Sequence, residues 1–239
     1  MTVSKTVYLQ AGAYQINPTN LTNGFSFDFS GGEGALIPIE IGWKPTLLSD
    51  FPGDYKIGGW YSTMHGADIY YDLHGDPLAV TGLPAQQDKG RSGFYVSLRQ
   101  QVIGEAPSKD APPNTDGKGL TLFLNYTLAD KKTSTLDRQF AIGAAYKGAI
   151  VTRPDDEIAL AFGETHVNDR TARGETLQNL AGLPFEPVQH SEYVTELDYR
   201  AQIAQGAEFS PNLQYITDPG GMGARDDIVV LGLKATLTL

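Results

Sequence analysis

The sequence IVVLGLKATLTL, residues Ile228 to Leu239, is the clearest indication of the fold class. Its apolar positions are Val229, Leu231, Leu233, Ala235, Leu237 and Leu239, and they alternate with Val230, Gly232, Lys234, Thr236 and Thr238. A period of two is the period of a β-strand, in which neighbouring side chains point to opposite faces. The alternation is long against a usual strand of about 5–6 residues, whereas about 9–11 residues are needed to cross a membrane as a tilted strand. The stretch therefore predicts the closing strand of a membrane β-barrel.

The segments before this strand repeat the same pattern. Phe209 to Thr217 alternates in the same way and is joined to the last strand by a Pro-Gly-Gly turn at Pro219 to Gly221, which is typical of a hairpin. Similar segments occur at Tyr193 to Ile203, Asp156 to Thr165, Arg138 to Lys147, Gly119 to Leu128, Gly93 to Val102, Tyr55 to Ser62, Leu36 to Lys44 and Thr6 to Tyr14. The sequence thus predicts an all-β, antiparallel protein of about ten strands.

Composition restricts the classes of function. The 239 residues include no cysteine, which excludes disulfides, thiolate metal sites and a cysteine nucleophile. A formal net charge of −10 argues against a nucleic-acid partner, which would need a basic surface. No apolar run approaches the ~18 residues of a membrane-spanning helix. The mean hydropathy of −0.25 is compatible with a barrel, because only every second residue of a barrel strand faces lipid.

The lengths of the connections give an independent indication of a barrel. Outer-membrane barrels alternate long external loops with short periplasmic turns. With Leu239 on the periplasmic side, the external loops are predicted at Gln15 to Ala35, Thr63 to Ser92, Ala129 to Asp137, His166 to Ser191 and Asp218 to Asp226. The turns are predicted at Pro45 to Asp54, Gly148 to Asp155 and Ala204 to Ala207. The connection Ile103 to Lys118, with Ala111-Pro112-Pro113, is too long for this rule.

Several segments, taken in order, resemble the carbohydrate-selective porin family of the OprB type. They are Gln10 to Pro18 (QAGAYQINP), Glu40 to Pro45 (EIGWKP), Tyr55 to Tyr61 (YKIGGWY), Gly93 to Val96 (GFYV), Leu213 to Gly221 (LQYITDPGG) and Arg225 to Asp227 (RDD). The resemblance covers almost the whole chain and corresponds to the C-terminal half or more of a family member. Each segment alone is a weak signal, and their common order makes the resemblance specific.

The resemblance implies a barrel of about sixteen strands in the outer membrane of a Gram-negative bacterium, with glucose and other small sugars diffusing through it. Residues 1–239 are then expected to form a single barrel domain that lacks the upstream strands and the signal peptide. The implied contacts are sugar solutes and outer-membrane lipid, without a cofactor and without enzymatic activity. Association of barrels into a homo-oligomer stays open.

Selective passage of a sugar requires polar groups and aromatic faces along a narrow path. The polar register of the predicted strands supplies eight pore-lining candidates: Lys56, Trp60, Tyr95, Arg99, Gln101, Glu196, Asp198 and Arg200. Charged side chains can hold sugar hydroxyls through charge-assisted hydrogen bonds, and Trp60 could stack on a sugar ring. The alternative roles are a wall of cross-strand ion pairs for the charged residues and an interfacial aromatic position for Trp60. The loop Thr63 to Ser92 is long enough to fold inward and narrow a pore, or to remain a mobile surface loop.

Other functions have less support from the sequence. A soluble or secreted glycan-binding β-sandwich would share the alternation, but it predicts short connections at both ends of the sheet. A porin fragment that does not conduct is a further alternative. An outer-membrane barrel enzyme would need a Ser/His/Asp cluster, and none can be named. His65, His74, His166 and His190 lack the spacing of a metal site.

Overall fold

The computed structural model describes residues 6–17, 31–48, 50–108 and 117–238. Its strands are β1 (Val7–Ala11), β2 (Tyr14–Ile16), β3 (Gly34–Trp43), β4 (Thr46–Leu47), β5 (Phe51–Ser62), β6 (Gly66–Asp72), β7 (Ala85–Asp88), β8 (Arg91–Gly104), β9 (Gly119–Ala129), β10 (Leu136–Lys147), β11 (Glu157–Val167), β12 (Ser191–Ala204), β13 (Ala207–Thr217) and β14 (Ile228–Leu237). In these ranges two α-helices, α1 (Leu78–Thr81) and α2 (Asp169–Leu180), and a short 3₁₀ helix at Pro219–Gly221 lie between strands. No helix in these described ranges is long and apolar enough to cross a membrane.

The long strands form one antiparallel sheet in which each strand pairs with the next long strand along the chain. The order is β1-β3-β5-β8-β9-β10-β11-β12-β13-β14, with β2 beside β3 and β4 beside β5. The predicted all-β antiparallel architecture is confirmed. A sandwich would require two packed sheets of long strands, whereas the described long strands all belong to one sheet.

The two faces of this sheet differ in chemistry as the alternation predicts. The pairing of Leu231 with Leu213, and of Leu213 with Leu197, continues an apolar row across three strands. These apolar side chains are exposed, with Leu231 at 81% and Leu213 at 42%. On the opposite face, Asp198 pairs with Asn212. The sheet therefore leaves its apolar face exposed and carries polar side chains on the opposite face, which is the reverse of the arrangement in a soluble protein.

The strand bounds differ from the sequence prediction mainly at the ends. β8 extends from Arg91 to Gly104 and β12 from Ser191 to Ala204, because cross-strand backbone pairing continues beyond the alternating segment. The first predicted strand, Thr6 to Tyr14, is interrupted and forms β1 and β2. Parts of the predicted loop Gln15 to Ala35 and of the connection Ile103 to Lys118, including Ala111-Pro112-Pro113, lie outside the described residues, as does Leu239.

The loops at one end of the sheet contain secondary structure that the sequence did not predict. The connection between β5 and β8 holds the hairpin β6-β7 and α1, and the connection between β11 and β12 holds α2. Asn168 caps α2, accepting the Arg170 backbone N–H at 3.0 Å. The Asn168 side-chain amide donates to the carbonyls of Lys131 and Ser134, at 2.8 Å each. We call the assembly of residues 63–90, 130–135 and 168–190 the external loop cluster, after the side on which the sequence predicts these loops.

At the other end of the sheet, hydrogen bonds to Asp156 connect the β10–β11 turn to β12. Its carboxylate accepts hydrogen bonds from the Arg153 guanidinium, the Tyr199 hydroxyl and the Gln202 backbone N–H, the last at 3.0 Å. The Asp156 side chain is almost completely buried. The hydrogen bond from Arg153, with that from Tyr199, lowers the pKa of Asp156 to about 2.

We expect Asp156→Asn to destabilise the protein by about 2 kcal/mol at pH 7, because it weakens several hydrogen bonds to a buried carboxylate. A lowered folded-state pKa stabilises the fold above the ordinary aspartate pKa of about 3.9, and that stabilisation is lost as the pH falls through about 2. The difference in unfolding free energy between the unsubstituted protein and Asp156→Asn should therefore stay constant from pH 7 to about 4 and shrink toward pH 2. Guanidinium unfolding in detergent at a series of pH values measures it. Exposed Asp155→Asn is the control, and an equal loss in both variants would contradict the expectation.

Candidate functional site

A cavity of about 790 Å³ lies against the polar face of the sheet. Its walls come from seven strands, β8 to β14, so the sheet curls enough for distant strands to line one space. The lining includes Arg99, Glu157, Glu196, Asp198, Arg200, Glu208, Asn212, Lys234 and Thr236. The cavity is thus surrounded by carboxylates, cations and amides that can exchange hydrogen bonds with a polar solute.

Four of the eight predicted candidates, Arg99, Glu196, Asp198 and Arg200, line this cavity together. Glu196 accepts hydrogen bonds from the side-chain amides of Asn212 and Gln214, at 3.1 and 3.0 Å. Arg200 lies 3.3 Å from the Glu157 carboxylate. The wall therefore contains cross-strand contacts: amide–carboxylate hydrogen bonds at Glu196 and an ion pair at Arg200.

Lys56, Trp60 and Tyr95 lie on the same face, further along the sheet. Their register places Lys56 opposite Ser97, Trp60 opposite Gly93 and Tyr95 opposite Gly58. Lys56 is 3.1 Å from Asp54, which reduces its positive charge toward the cavity. The Trp60 indole lies across Gly93, where a Cβ would collide with the ring.

Gln101 also belongs to this register but has a different role. It is 1% exposed, and its amide donates to the backbone carbonyls of Glu105 at 2.8 Å and Lys118 at 3.1 Å. Its carbonyl oxygen accepts the Gly117 backbone N–H at 3.3 Å. The side chain therefore holds the two ends of the β8–β9 connection together, and its polar groups are occupied by the backbone.

A cluster that the sequence analysis did not select is centred on Glu40. Its carboxylate accepts the Tyr8 hydroxyl at 2.7 Å and the Tyr95 hydroxyl at 2.5 Å. Tyr95 reaches Glu40 across Gly58, because a side chain at position 58 would occupy the space of the Tyr95 ring. The alternation of β3 places Glu40 on the polar register as the only charged residue of that strand, so its position was available from the sequence. The sequence did not indicate that Tyr8 and Tyr95 would be its hydrogen-bond partners.

The external loop cluster carries its own buried charges. The Asp68 carboxylate accepts the backbone N–H groups of Tyr70 and Tyr71, at 2.7 and 2.8 Å, and pairs with the Arg170 guanidinium. Burial alone would raise the pKa of Asp68, but the Tyr71 and Tyr70 N–H groups and Arg170 outweigh it and lower that pKa. The 63–92 connection is therefore tied to α2.

Asp72 supports the same loop from inside. Its carboxylate accepts the Thr81 hydroxyl at 2.7 Å and the backbone N–H groups of His74 and Asp76, at 2.8 and 3.0 Å. Burial alone would raise the pKa of Asp72, but these hydrogen bonds outweigh it and lower that pKa. Within the described residues, no group of three or more His, Cys, Asp or Glu side chains could hold a metal ion.

Comparison with known proteins agrees with this two-faced sheet. The family model described as "Carbohydrate-selective porin, OprB family" matches residues 1–239. The chain is 37% identical to Porin B of Pseudomonas aeruginosa over 95% of its own length and 51% of that protein. It is 29% identical to the putative porin QuiX of Acinetobacter baylyi, over 96% of this chain and 52% of that one. The chain thus spans about half the length of the curated relatives that it matches.

Solved structures show the same similarity. The high-pH structure of Pseudomonas putida OprB superposes with a TM-score of 0.89 at 36% identity, covering 99% of this chain and 56% of that one. The low-pH structure of the same protein gives a TM-score of 0.59 at 25% identity, covering 98% and 52%. The match of the family model over all 239 residues means that the chain belongs to the OprB family of carbohydrate-selective porins.

Proposed function

We propose that the polar face of this sheet lines the passage of an outer-membrane porin through which small carbohydrates such as glucose diffuse passively. The observation that carries the proposal is the cavity of about 790 Å³, lined by charged and amide side chains on the face opposite an exposed apolar surface. Membership of a carbohydrate-selective porin family supports sugars as the solute. A porin performs no chemistry on its solute, so the proposal includes no catalytic residue and no cofactor.

The arrangement of the lining suggests how a sugar would pass. Arg99, Glu196, Asp198 and Arg200 offer donors and acceptors that can replace water around sugar hydroxyls. Trp60 and Tyr95 add aromatic surface on the same face of β5 and β8. Binding at several weak positions allows a solute to enter and to leave again, which passive diffusion requires.

We further propose that residues 1–239 belong to one closed antiparallel barrel domain. The strand path begins with β1 and ends with β14, and ten antiparallel strands place these two in opposite directions, as pairing at a seam would require. A barrel of about sixteen strands would need strands in addition to this path. Ten strands alone would form a narrow barrel whose interior is largely filled by side chains.

Single-channel recording in planar bilayers tests the transport function. We expect the purified chain to produce discrete conductance steps that added glucose or maltose reduces in a concentration-dependent way. Porin B of Pseudomonas aeruginosa provides the matched comparison. Conductance without any effect of sugar would overturn the assignment to carbohydrates. Absence of conductance, while Porin B conducts, would identify this chain as a non-conducting portion of a porin.

Arg99→Ala and Glu196→Ala are expected to change sugar block by several-fold and to shift ion selectivity in opposite directions, because each removes one charge from the cavity wall. Bilayer recordings with glucose and with a salt gradient measure both effects. The controls are Lys118→Ala and Asp155→Ala, which remove the same charges from exposed positions outside the sheet. Unchanged block and selectivity in both lining variants would reject their role.

The apolar face is proposed to contact membrane lipid, and Leu231 tests this. We expect Leu231→Arg to destabilise the inserted protein by about 2 kcal/mol, because an arginine side chain there would have to enter hydrocarbon. Val230→Arg is the matched control, since Val230 is the adjacent residue on the polar register and pairs with Gln214. Urea unfolding from lipid vesicles measures both. Equal losses of unfolding free energy in Leu231→Arg and Val230→Arg would contradict a lipid-facing Leu231.

The same exposed face bears on whether copies of the chain associate, which the sequence leaves open. In a monomer, lipid would cover the whole apolar face. In a homo-oligomer, a second copy of the chain would cover part of it. Native mass spectrometry of the detergent-extracted chain distinguishes these outcomes.

A further inference from the structure

A group of cations lies at the end of the sheet that carries the external loop cluster. Lys89, Arg91, Lys131 and Lys132 contribute to one cleft of about 220 Å³, which we call the rim cation cluster. The chain as a whole has a formal charge of −10, so four cations around one small cleft are a local feature. Nothing in the proposed passage of sugars uses this cleft.

One wall of the cleft lies on the apolar side of the sheet, whereas Arg91, which pairs with Ser62, lies on the polar register. Tyr61 and Ser92, which line it, pair with each other and lie on the same register as the apolar residues of β5 and β8. The next pair along this face is Phe94 with Leu128, at 42% and 36% exposed. Cations at the edge of an exposed apolar and aromatic surface are the arrangement expected where hydrocarbon meets charged headgroups.

The two carboxylates of the cleft leave part of this positive charge uncompensated. Asp88 pairs with Lys132 at 2.9 Å. Asp130 accepts the Thr133 hydroxyl at 2.7 Å and the backbone N–H groups of Lys132 and Thr133, at 3.1 and 3.0 Å. Four cations against these two carboxylates leave two positive charges uncompensated at the cleft.

The remaining cations differ in their hydrogen-bond and ion-pair partners. Arg91 is held by a hydrogen bond to the Thr133 hydroxyl at 3.1 Å. Lys89 and Lys131 are exposed, and no carboxylate among the described residues forms an ion pair with either. Two ammonium groups next to a positioned guanidinium are therefore available to an anion.

We propose that the rim cation cluster binds the phosphate groups of a phosphorylated glycolipid in the outer leaflet, with Lys89 and Lys131 as the principal donors. The inference rests on the proposed function, because it requires the external loop cluster to lie at the outer leaflet. Ammonium groups form strong charge-assisted hydrogen bonds with phosphate oxygens. The apolar face below the cleft, with Phe94 and Leu128, receives the acyl chains of the same lipid.

Lipid titration in detergent micelles tests the proposal without requiring conduction. The folded chain is titrated with fluorescently labelled bis-phosphorylated lipid A and with the dephosphorylated lipid carrying the same acyl chains. We expect the phosphorylated lipid to bind about tenfold more tightly, and Lys89→Gln/Lys131→Gln to remove most of this preference. Lys118→Gln/Lys147→Gln, which neutralises two lysines at the opposite end of the sheet, should retain it.

The outcomes separate the two proposals. Equal affinity for the two lipids, or equal losses in the two double variants, would overturn the lipid site. Displacement of the lipid by millimolar inorganic phosphate would identify a general anion site and would also overturn it. Conductance is measured on the same variants: a lipid preference without conductance supports the site while rejecting autonomous transport. Should the double variant fail to fold, the single variants Lys89→Gln and Lys131→Gln are used instead. Each is expected to reduce the preference for the phosphorylated lipid about threefold.

Discussion

Arg170→Met is expected to destabilise the external loop cluster by about 3–5 kcal/mol, because it leaves the buried Asp68 carboxylate without its countercharge. Asp68 is 3% exposed, and without the guanidinium its carboxylate keeps only the backbone N–H groups of Tyr70 and Tyr71 as described partners. The Arg170 guanidinium also lies over the rings of Tyr70 and Tyr71, 5.6 and 5.2 Å from their centroids. The substitution removes these contacts as well, while methionine keeps most of the side-chain volume.

The effect should be local to the loops. Asp68 lies on β6 and Arg170 on α2, and neither element belongs to the large sheet. Limited proteolysis within residues 63–90 measures the opening, and a loss of about 3 kcal/mol corresponds to cleavage roughly a hundredfold faster. The pKa of Asp68 is lowered, so the pair persists above the ordinary aspartate range and the difference should be similar at pH 7 and pH 5.

Arg173→Met is the matched control for this prediction. Arg173 lies on the same helix with its guanidinium 5.0 Å from the centroid of the Tyr70 ring, but it forms no ion pair with a carboxylate in the described part of the chain. Its loss should accelerate cleavage only slightly. Similar rates for the two variants would show that the Asp68–Arg170 ion pair does not hold the loops together.

Glu40→Ala is expected to have the largest effect on the polar face. It removes the acceptor of two tyrosine hydroxyls, from Tyr8 on β1 and Tyr95 on β8, and hydrogen bonds to a charged group contribute about 1.5–3 kcal/mol each. We expect a loss of about 3 kcal/mol in urea unfolding. In bilayer recordings we also expect lower cation preference and weaker sugar block, since a negative charge is lost and both rings are released.

Glu40→Gln separates the two contributions. The glutamine carbonyl can still accept a hydroxyl, so stability should fall by only about 1 kcal/mol. The charge is lost as completely as in Glu40→Ala, so the change in ion selectivity should be the same. Equal stability losses in the two variants would mean that the carboxylate's hydrogen bonds to Tyr8 and Tyr95 do not stabilise the sheet.

Some features were predictable because they depend on the chain locally. The alternation of Leu231 and Leu233 with Gly232 and Lys234 is enough to separate two faces, since successive side chains of a strand must point in opposite directions. The same rule assigned Glu196, Asp198 and Arg200 to one face, and in the structure they line one cavity. It gave Gln101 the same role as a lining residue, but register does not reveal that a side chain is occupied by backbone groups of a neighbouring turn.

Helix α2 was not predictable in this way. Its sequence, Asp169–Leu180, contains few apolar residues and no apolar stripe, so no helical period was visible. The helix is stabilised by contacts outside itself: Asn168 caps it, and the buried Gly174 faces Ala79 of α1.

The antiparallel strands and their two faces were predictable from the chain alone, because backbone geometry converts a period of two directly into sidedness. The family was predictable from the ordered segments that resemble it, and not from this period. Which polar groups meet follows from the folded arrangement. Asp68 and Arg170 are 102 residues apart, and Tyr95 is 55 residues from Glu40. Such contacts depend on the register of several strands and on the packing of loops against each other, and neither is encoded in any local period of the chain.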